Sequence, residues 1–387
     1  MAAKILTDAI GMIHSQTEQT THFPSTLSVY AQRGGVEIVD RLADEWRDLC
    51  DQSADDQPFY RPEFIRAHIR AKIPGAKVVV ITVRQEGRLR LLLPLVEELG
   101  TFSKVPVRKL RSPVDMHCGR FDAVRCSGPE SDAVMSATWN YLKEMDSWDL
   151  LQLRYAPQGS AVSRLFSMAE GEGFLTIQEP GRPNPYVPVP AAPELLERMP
   201  RSSRLRTKLR QIRRQIGEKS PMKFYRVDQA DPDALDRLFA LEASGWKGQD
   251  GGAVNCNPSF RQFFRELADS AARFGYFSLY MLEVEGQLIA AHYSLVYRER
   301  CHSPIVAFNE KFREFAPGHL IVGEILRDCM ARGITGYDIT GEDQEWKMKW
   351  TDQALSVNHF SVFKGRIGRM AYGVGVRLKP SLRRILS

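Results

Sequence analysis

Two segments of the chain share one pattern. Val83–Val96 reads VRQEGRLRLLLPLV and Leu282–Val296 reads LEVEGQLIAAHYSLV. Each is a strand, a Glu-Gly turn and a longer strand. Each is followed by further strands, a helix and a strand that carries an aspartate, Asp149 in the first case and Asp338 in the second. A repeat of this length is duplication of one mixed α/β unit, since solenoid repeats have short periods. The length agrees: 387 residues exceed the roughly 100–200 of one ordinary domain.

Composition excludes several classes. Hydrophobic residues make up 43% and charged residues 26%, as in ordinary globular proteins. No apolar run reaches the roughly 18 residues of a membrane-spanning helix. The opening MAAKILTDAIGMIHSQTEQTTHF lacks the basic start and long apolar core of a secretory signal. The six cysteines form no CxxC and no close pair, which fits reduced thiols and a cytoplasmic location. His117-Cys118 and Cys126 lack a second close ligand pair, so no zinc site is expected. There is no P-loop, no HExxH and no GxSxG.

Charge is uneven. Residues 1–200 hold 23 Lys/Arg and 26 Asp/Glu, whereas 201–387 hold 30 and 21. An anionic ligand therefore belongs with the second half. Residues 201–219 alone carry eight bases and one acid, and 364–387 carry seven bases and no acid.

The chain divides accordingly into a polar lead (1–25), a first domain (26–178), a linker (179–193), a second domain (194–363) and a basic tail (364–387). The linker assignment rests on six prolines in EPGRPNPYVPVPAAP, a density that argues against regular structure. In the second domain Leu205, Leu209, Ile212 and Ile216 mark one face of a basic helix. Pro317-Gly318 opens another, with an apolar stripe at Ile321, Val322, Ile325, Leu326, Cys329 and Met330.

The second half resembles a known family. LRTKLRQIRR (205–214), EASGW (242–246), GQLIAAHYSLV (286–296) and above all FAPGHLIVGEILRDCMARGITGYDITGEDQEWKMKW (315–350) carry the resemblance. It is to the GNAT acyltransferases of the CelD/BcsL cellulose-biosynthesis type, distantly similar to the FemAB peptidoglycan transferases. It implies tandem GNAT-like domains of mixed α/β (α+β) class. It further implies an acyltransferase that passes an acyl group, acetyl first, from a coenzyme A thioester to an amine. The expected acceptor is an amino sugar or a sugar-linked amine of polysaccharide or cell-envelope synthesis. No metal is required. The phosphate loop departs from the family: REFAPGHL (313–320) keeps one glycine. A longer acyl-CoA, a carrier protein or aminoacyl-tRNA therefore stays open as donor, and so does a silent scaffold subunit of a polysaccharide-synthesis complex.

Candidate residues follow. Pro317, Gly318, His319 and Leu320 form a helix start that suits an anion. Ala290 and Ala291 lie on the strand that the resemblance assigns to the donor's pantetheine arm. His292, Asp338 and Glu342 are candidate proton acceptors, with Asp338 and Lys347 expected on the acceptor side at the cleft mouth. Trp246, Lys247, Lys347 and Trp350 are candidates for acceptor contacts. The basic helix lacks the stacking aromatics of a specific nucleic-acid reader, so none is expected as a partner. The basic tail suits at most peripheral contact with an anionic membrane.

Overall fold

The structure, a computed structural model, describes residues 21–22, 27–115, 119–219, 221–245, 254–341 and 343–383. In the first half the strands are β1 (Thr21–His22), β2 (Leu27–Gly34), β3 (Lys77–Gln85), β4 (Arg88–Phe102), β5 (Val105–Arg111), β6 (Val124–Arg125), β7 (Leu150–Pro157) and β8 (Leu175–Pro180). Then come β9 (Asn184–Pro188), β10 (Met222–Val227), β11 (Phe277–Val284), β12 (Gln287–Tyr297), β13 (Arg300–Phe308), β14 (Gly336–Asp338), β15 (Ala354–Leu355) and β16 (Val357–Phe363).

The duplication is plain in the element order. Helices Glu37–Gln52 and Pro62–Lys72 separate β2 from β3, and helices Pro232–Ala243 and Pro258–Arg273 separate β10 from β11. Strands β2 to β5 pair antiparallel in sequence, as β10 to β13 do. A helix then leads to a parallel neighbour: β7 beside β5, and β14 beside β13. Both Glu-Gly corners have positive φ at each residue, 49° and 79° at Glu86-Gly87, 54° and 72° at Glu285-Gly286. That geometry matches the twist of a two-residue hairpin.

The two sheets exchange strands. β9 follows the first half but pairs with β14 and β15 of the second sheet. β16 closes the second half but lies between β7 and β8 of the first. The proline-rich segment is thus not merely a linker. Proline bars a strand only where its missing N–H is needed. Here Tyr186 and Val189 donate to Gln353 and Thr335, while Pro185 supplies its carbonyl to Ile339 N–H. Likewise 357–363 belongs to the first sheet, and the basic tail is helical over Gly365–Arg383.

The lobes are firmly docked. Phe64 meets Phe263 and Phe59 meets His302, each pair edge to face. Tyr276 Oη donates to buried Glu63, and Arg66 to Ser270. The basic helix Ser203–Lys219 buries Leu209, Ile212 and Ile216, as its periodicity predicts. Among the described residues no helix is long and apolar enough to cross a membrane.

Candidate functional site

β13 runs through a short helical turn, Glu310–Phe315, into helix Pro317–Ala331. At this junction lies a cavity of about 380 Å³, lined by Val306, Phe308, Gly318, His319, Trp346 and Lys349, and also by His292 and Arg313. The parallel pairing of β13 with β14 stops after His302. Beyond it, among the described residues, Ile305–Phe308 has a strand partner only in β12. Val306, Ala307 and Phe308, on that half-paired stretch, line the cavity. A strand edge with free N–H and C=O groups is a template for an extended ligand arm.

The strand expected to carry the donor arm, 288–296, has no open edge at Ala290 and Ala291. β12 is hydrogen-bonded on both sides, Ala290 facing Leu282 and Phe308, Ala291 facing Met281 and Ala307. Both alanines are fully buried, so their backbone cannot pair with a ligand. β13, one strand over, is the strand that combines a half-paired stretch with the cavity wall.

The helix start is poorer in donors than its position suggests. Ala316 caps it in the left-handed conformation (φ 46°, ψ 52°) with no side-chain cap bond. Pro317 has no N–H. The N–H groups of His319 and Leu320 both turn to Ala316 O, at 2.9 and 3.0 Å. Of the groups a helix start normally leaves open, Gly318 N–H is the one available to the cavity. Leu320 is core.

His319 accepts a hydrogen bond at Nδ1 from Trp350 Nε1, 3.0 Å away. Burial, then Lys349 and Lys208, push its pKa down to about 4. His292 is buried, with Nδ1 2.7 Å from Tyr337 Oη.

Asp338 and Lys347 are not at a cleft mouth. Asp338 is 0% exposed and ion-paired to Arg120 of the first lobe. It also bonds His302 Nδ1 at 3.1 Å and accepts from Thr340 N–H at 2.9 Å. Burial alone would raise its pKa, but Arg120 and His302 more than offset this and hold it well below the usual carboxylate range. A carboxylate so committed is a weak base near neutral pH. Lys347 is buried too, its ammonium donating to Thr340 O. Trp350 is 2% exposed and serves His319 rather than an open acceptor surface. Trp246, Lys247 and Glu342 lie outside the described residues.

Residues 203–348 match the family model of the acetyltransferase (GNAT) domain. The second lobe carries a GNAT acyltransferase domain. Among solved structures, FemX aligns over 86% of this chain and 98% of its own, with TM-score 0.58 at 12% identity. L-PGS from Bacillus licheniformis aligns over 87% and 96%, with TM-score 0.50 at 10% identity. A conserved protein of unknown function from Bacteroides thetaiotaomicron aligns over 90% and 100%, with TM-score 0.51 at 11% identity. These likenesses are of fold. No curated protein sequence matches the chain.

The GNAT domain's cavity also uses residues that the sequence did not flag, Phe308, Arg313, Gln344, Trp346 and Lys349. Only their closeness to Pro317 and Trp350 in the chain was a signal.

One pH effect follows. A histidine whose pKa falls on folding binds its proton more readily when unfolded, so its contribution is full above about pH 6.5 and is lost as pH falls towards 4. The stability of the unaltered protein relative to His319→Gln should therefore be constant from pH 8 to 7 and decline between 6.5 and 4. Paired urea titrations across that range check it; a difference that stays flat would mean His319 titrates normally.

Proposed function

We propose that the chain is an aminoacyl-tRNA-dependent transferase of FemAB-like type, passing an aminoacyl group to an amine of a cell-envelope precursor. The helix start carries this reading. With Pro317 lacking an N–H and His319 turned to Ala316 O, the cradle for a coenzyme A pyrophosphate is thin. A tRNA donor asks less of that spot, because its phosphates can lie on the basic helix Ser203–Lys219. Phosphate contacts position a nucleic acid without reading its sequence, so the lack of stacking aromatics is no obstacle. The FemX-like course of the chain through both lobes supports the same reading.

The chemistry needs no covalent enzyme intermediate. The acceptor amine attacks the ester carbonyl inside the cavity, and the half-paired edge of β13 aligns the aminoacyl end. A second reading, acetyl transfer from acetyl-CoA in CelD/BcsL-like polysaccharide synthesis, is favoured by the acetyltransferase family match over 203–348.

Full-length protein with aminoacyl-tRNA and a panel of amino sugars and amino-acid amides should accelerate loss of the aminoacyl group and form the amide, more weakly as salt rises. Acetyl-CoA should be left intact. Consumption of acetyl-CoA with inert tRNA would replace the first reading by the second. Inertness to both donors would sink both.

A further inference from the structure

The Trp350–His319 contact is chemically one-sided. An indole N–H can only donate. It lies 3.0 Å from His319 Nδ1, so Nδ1 is the unprotonated nitrogen of the ring. In a neutral imidazole the proton then sits on Nε2. Trp350 is almost wholly buried, which keeps water from competing for Nδ1. His319 lines the cavity beside β13, so its second nitrogen is the one left for a ligand there. Lys349, ion-paired with Glu345, and Lys208 of the basic helix are the cations that act on the ring, and Arg313, paired with Glu310, shares the cavity lining. The two lysines and burial oppose a second proton.

We propose that His319 is a neutral hydrogen-bond donor, through Nε2–H, to the carbonyl oxygen of the transferring acyl group, and that Trp350 is the positioning residue that fixes its tautomer. This rests on the acyl-transfer reading and names one group in its site. In the step, the acceptor nitrogen bonds to the carbonyl carbon and the bond from that carbon to the donor's oxygen breaks. The proton lost by the amine ends on the released hydroxyl. The Nε2 proton is not transferred. It bonds more strongly as negative charge gathers on the carbonyl oxygen, which lowers the barrier selectively.

The test joins side-chain ¹⁵N NMR of the histidines in full-length protein with transfer kinetics. In the unaltered protein His319 should show the Nε2–H tautomer from pH 8 to 5.5. His319→Ala should lower kcat about 10²–10³-fold, the range for loss of one such donor. His319→Gln, which keeps an N–H, should regain at least about tenfold of that loss. Trp350→Phe should mix the tautomers and lower kcat more than it raises KM. Should Trp350→Phe fail to fold, the two His319 variants and the NMR of the unaltered protein still decide. An Nδ1–H tautomer, a charged ring at pH 7, or normal kcat in His319→Ala would overturn this proposal alone. No transfer by the unaltered protein from any donor would overturn it together with the acyl-transfer reading.

Discussion

Arg120→Ala should cost about 3–5 kcal/mol of stability, the range for removing one partner of a buried ion pair. The effect is large because of what is left behind. Arg120 is 1% exposed and Asp338 0%, so the loss strands an ionised carboxylate without water. His302 cannot replace the guanidinium. Burial keeps its own pKa below the usual value, and it offers one ring nitrogen where Arg120 offered a full charge. Arg120 also donates to Gln57 Oε1 at 2.9 Å, so a first-lobe contact goes with it. Guanidinium titration of both proteins at pH 7 measures the loss. A change below about 1 kcal/mol, as for an exposed pair, would mean that water reaches Asp338 through an open seam between the lobes.

A chain ending at Ser356 should not fold at all. It lacks β16, and with it the buried side chains Val357, Phe360, Val362 and Phe363. At about 1.5–3 kcal/mol for each fully buried apolar side chain, the loss is about 6–12 kcal/mol. That is comparable with the whole stability of a typical domain, about 5–15 kcal/mol. The cut also removes helix Gly365–Arg383 and bares the facing edges of β7 and β8. Because Phe360 stacks on Phe166 of the first lobe, the damage should appear there although the cut is in the second. Solubility and circular dichroism of the truncated chain decide. A soluble product with native-like near-ultraviolet signals would show that the first sheet is complete without β16.

Much of the architecture was legible from local pattern. The Glu-Gly hairpins, the buried face at Leu209, Ile212 and Ile216, and the stripe from Ile321 to Cys329 all recur in the structure because period and turn chemistry are local properties. The exchange of β9 and β16 was not, since pairing partners over a hundred residues apart leave no mark on either strand. The prolines of 179–193 pointed away from a strand, because sequence does not say which N–H groups a ladder needs. Of the residues singled out at the helix start, Pro317, Gly318 and His319 line the cavity, whereas other candidates went astray where burial decides. Asp338 looks like a strand-end carboxylate near a turn. Only the fold brings Arg120, from a segment without periodicity, against it. Lys347 fails the same way: a lysine near a glycine turn reads as exposed, yet its ammonium is held on Thr340 O. β12 and β13 are both apolar strands, and which one keeps a half-paired edge is set by where β14 stops.

The crossed strands also fix an order of manufacture. A ribosome releases β7 and β8 long before β16 exists: about 180 residues separate Pro180 from Val357. At roughly 5–20 residues per second that interval lasts on the order of 10–35 s. Throughout it the nascent first sheet has a vacant slot with two bare edges, the arrangement most prone to pair with a stranger. The second sheet waits less, because β9 is made before the strands it will join. The first-made sheet is thus sealed by a strand made after those of the second, and the first half does not mature while the second is still being translated.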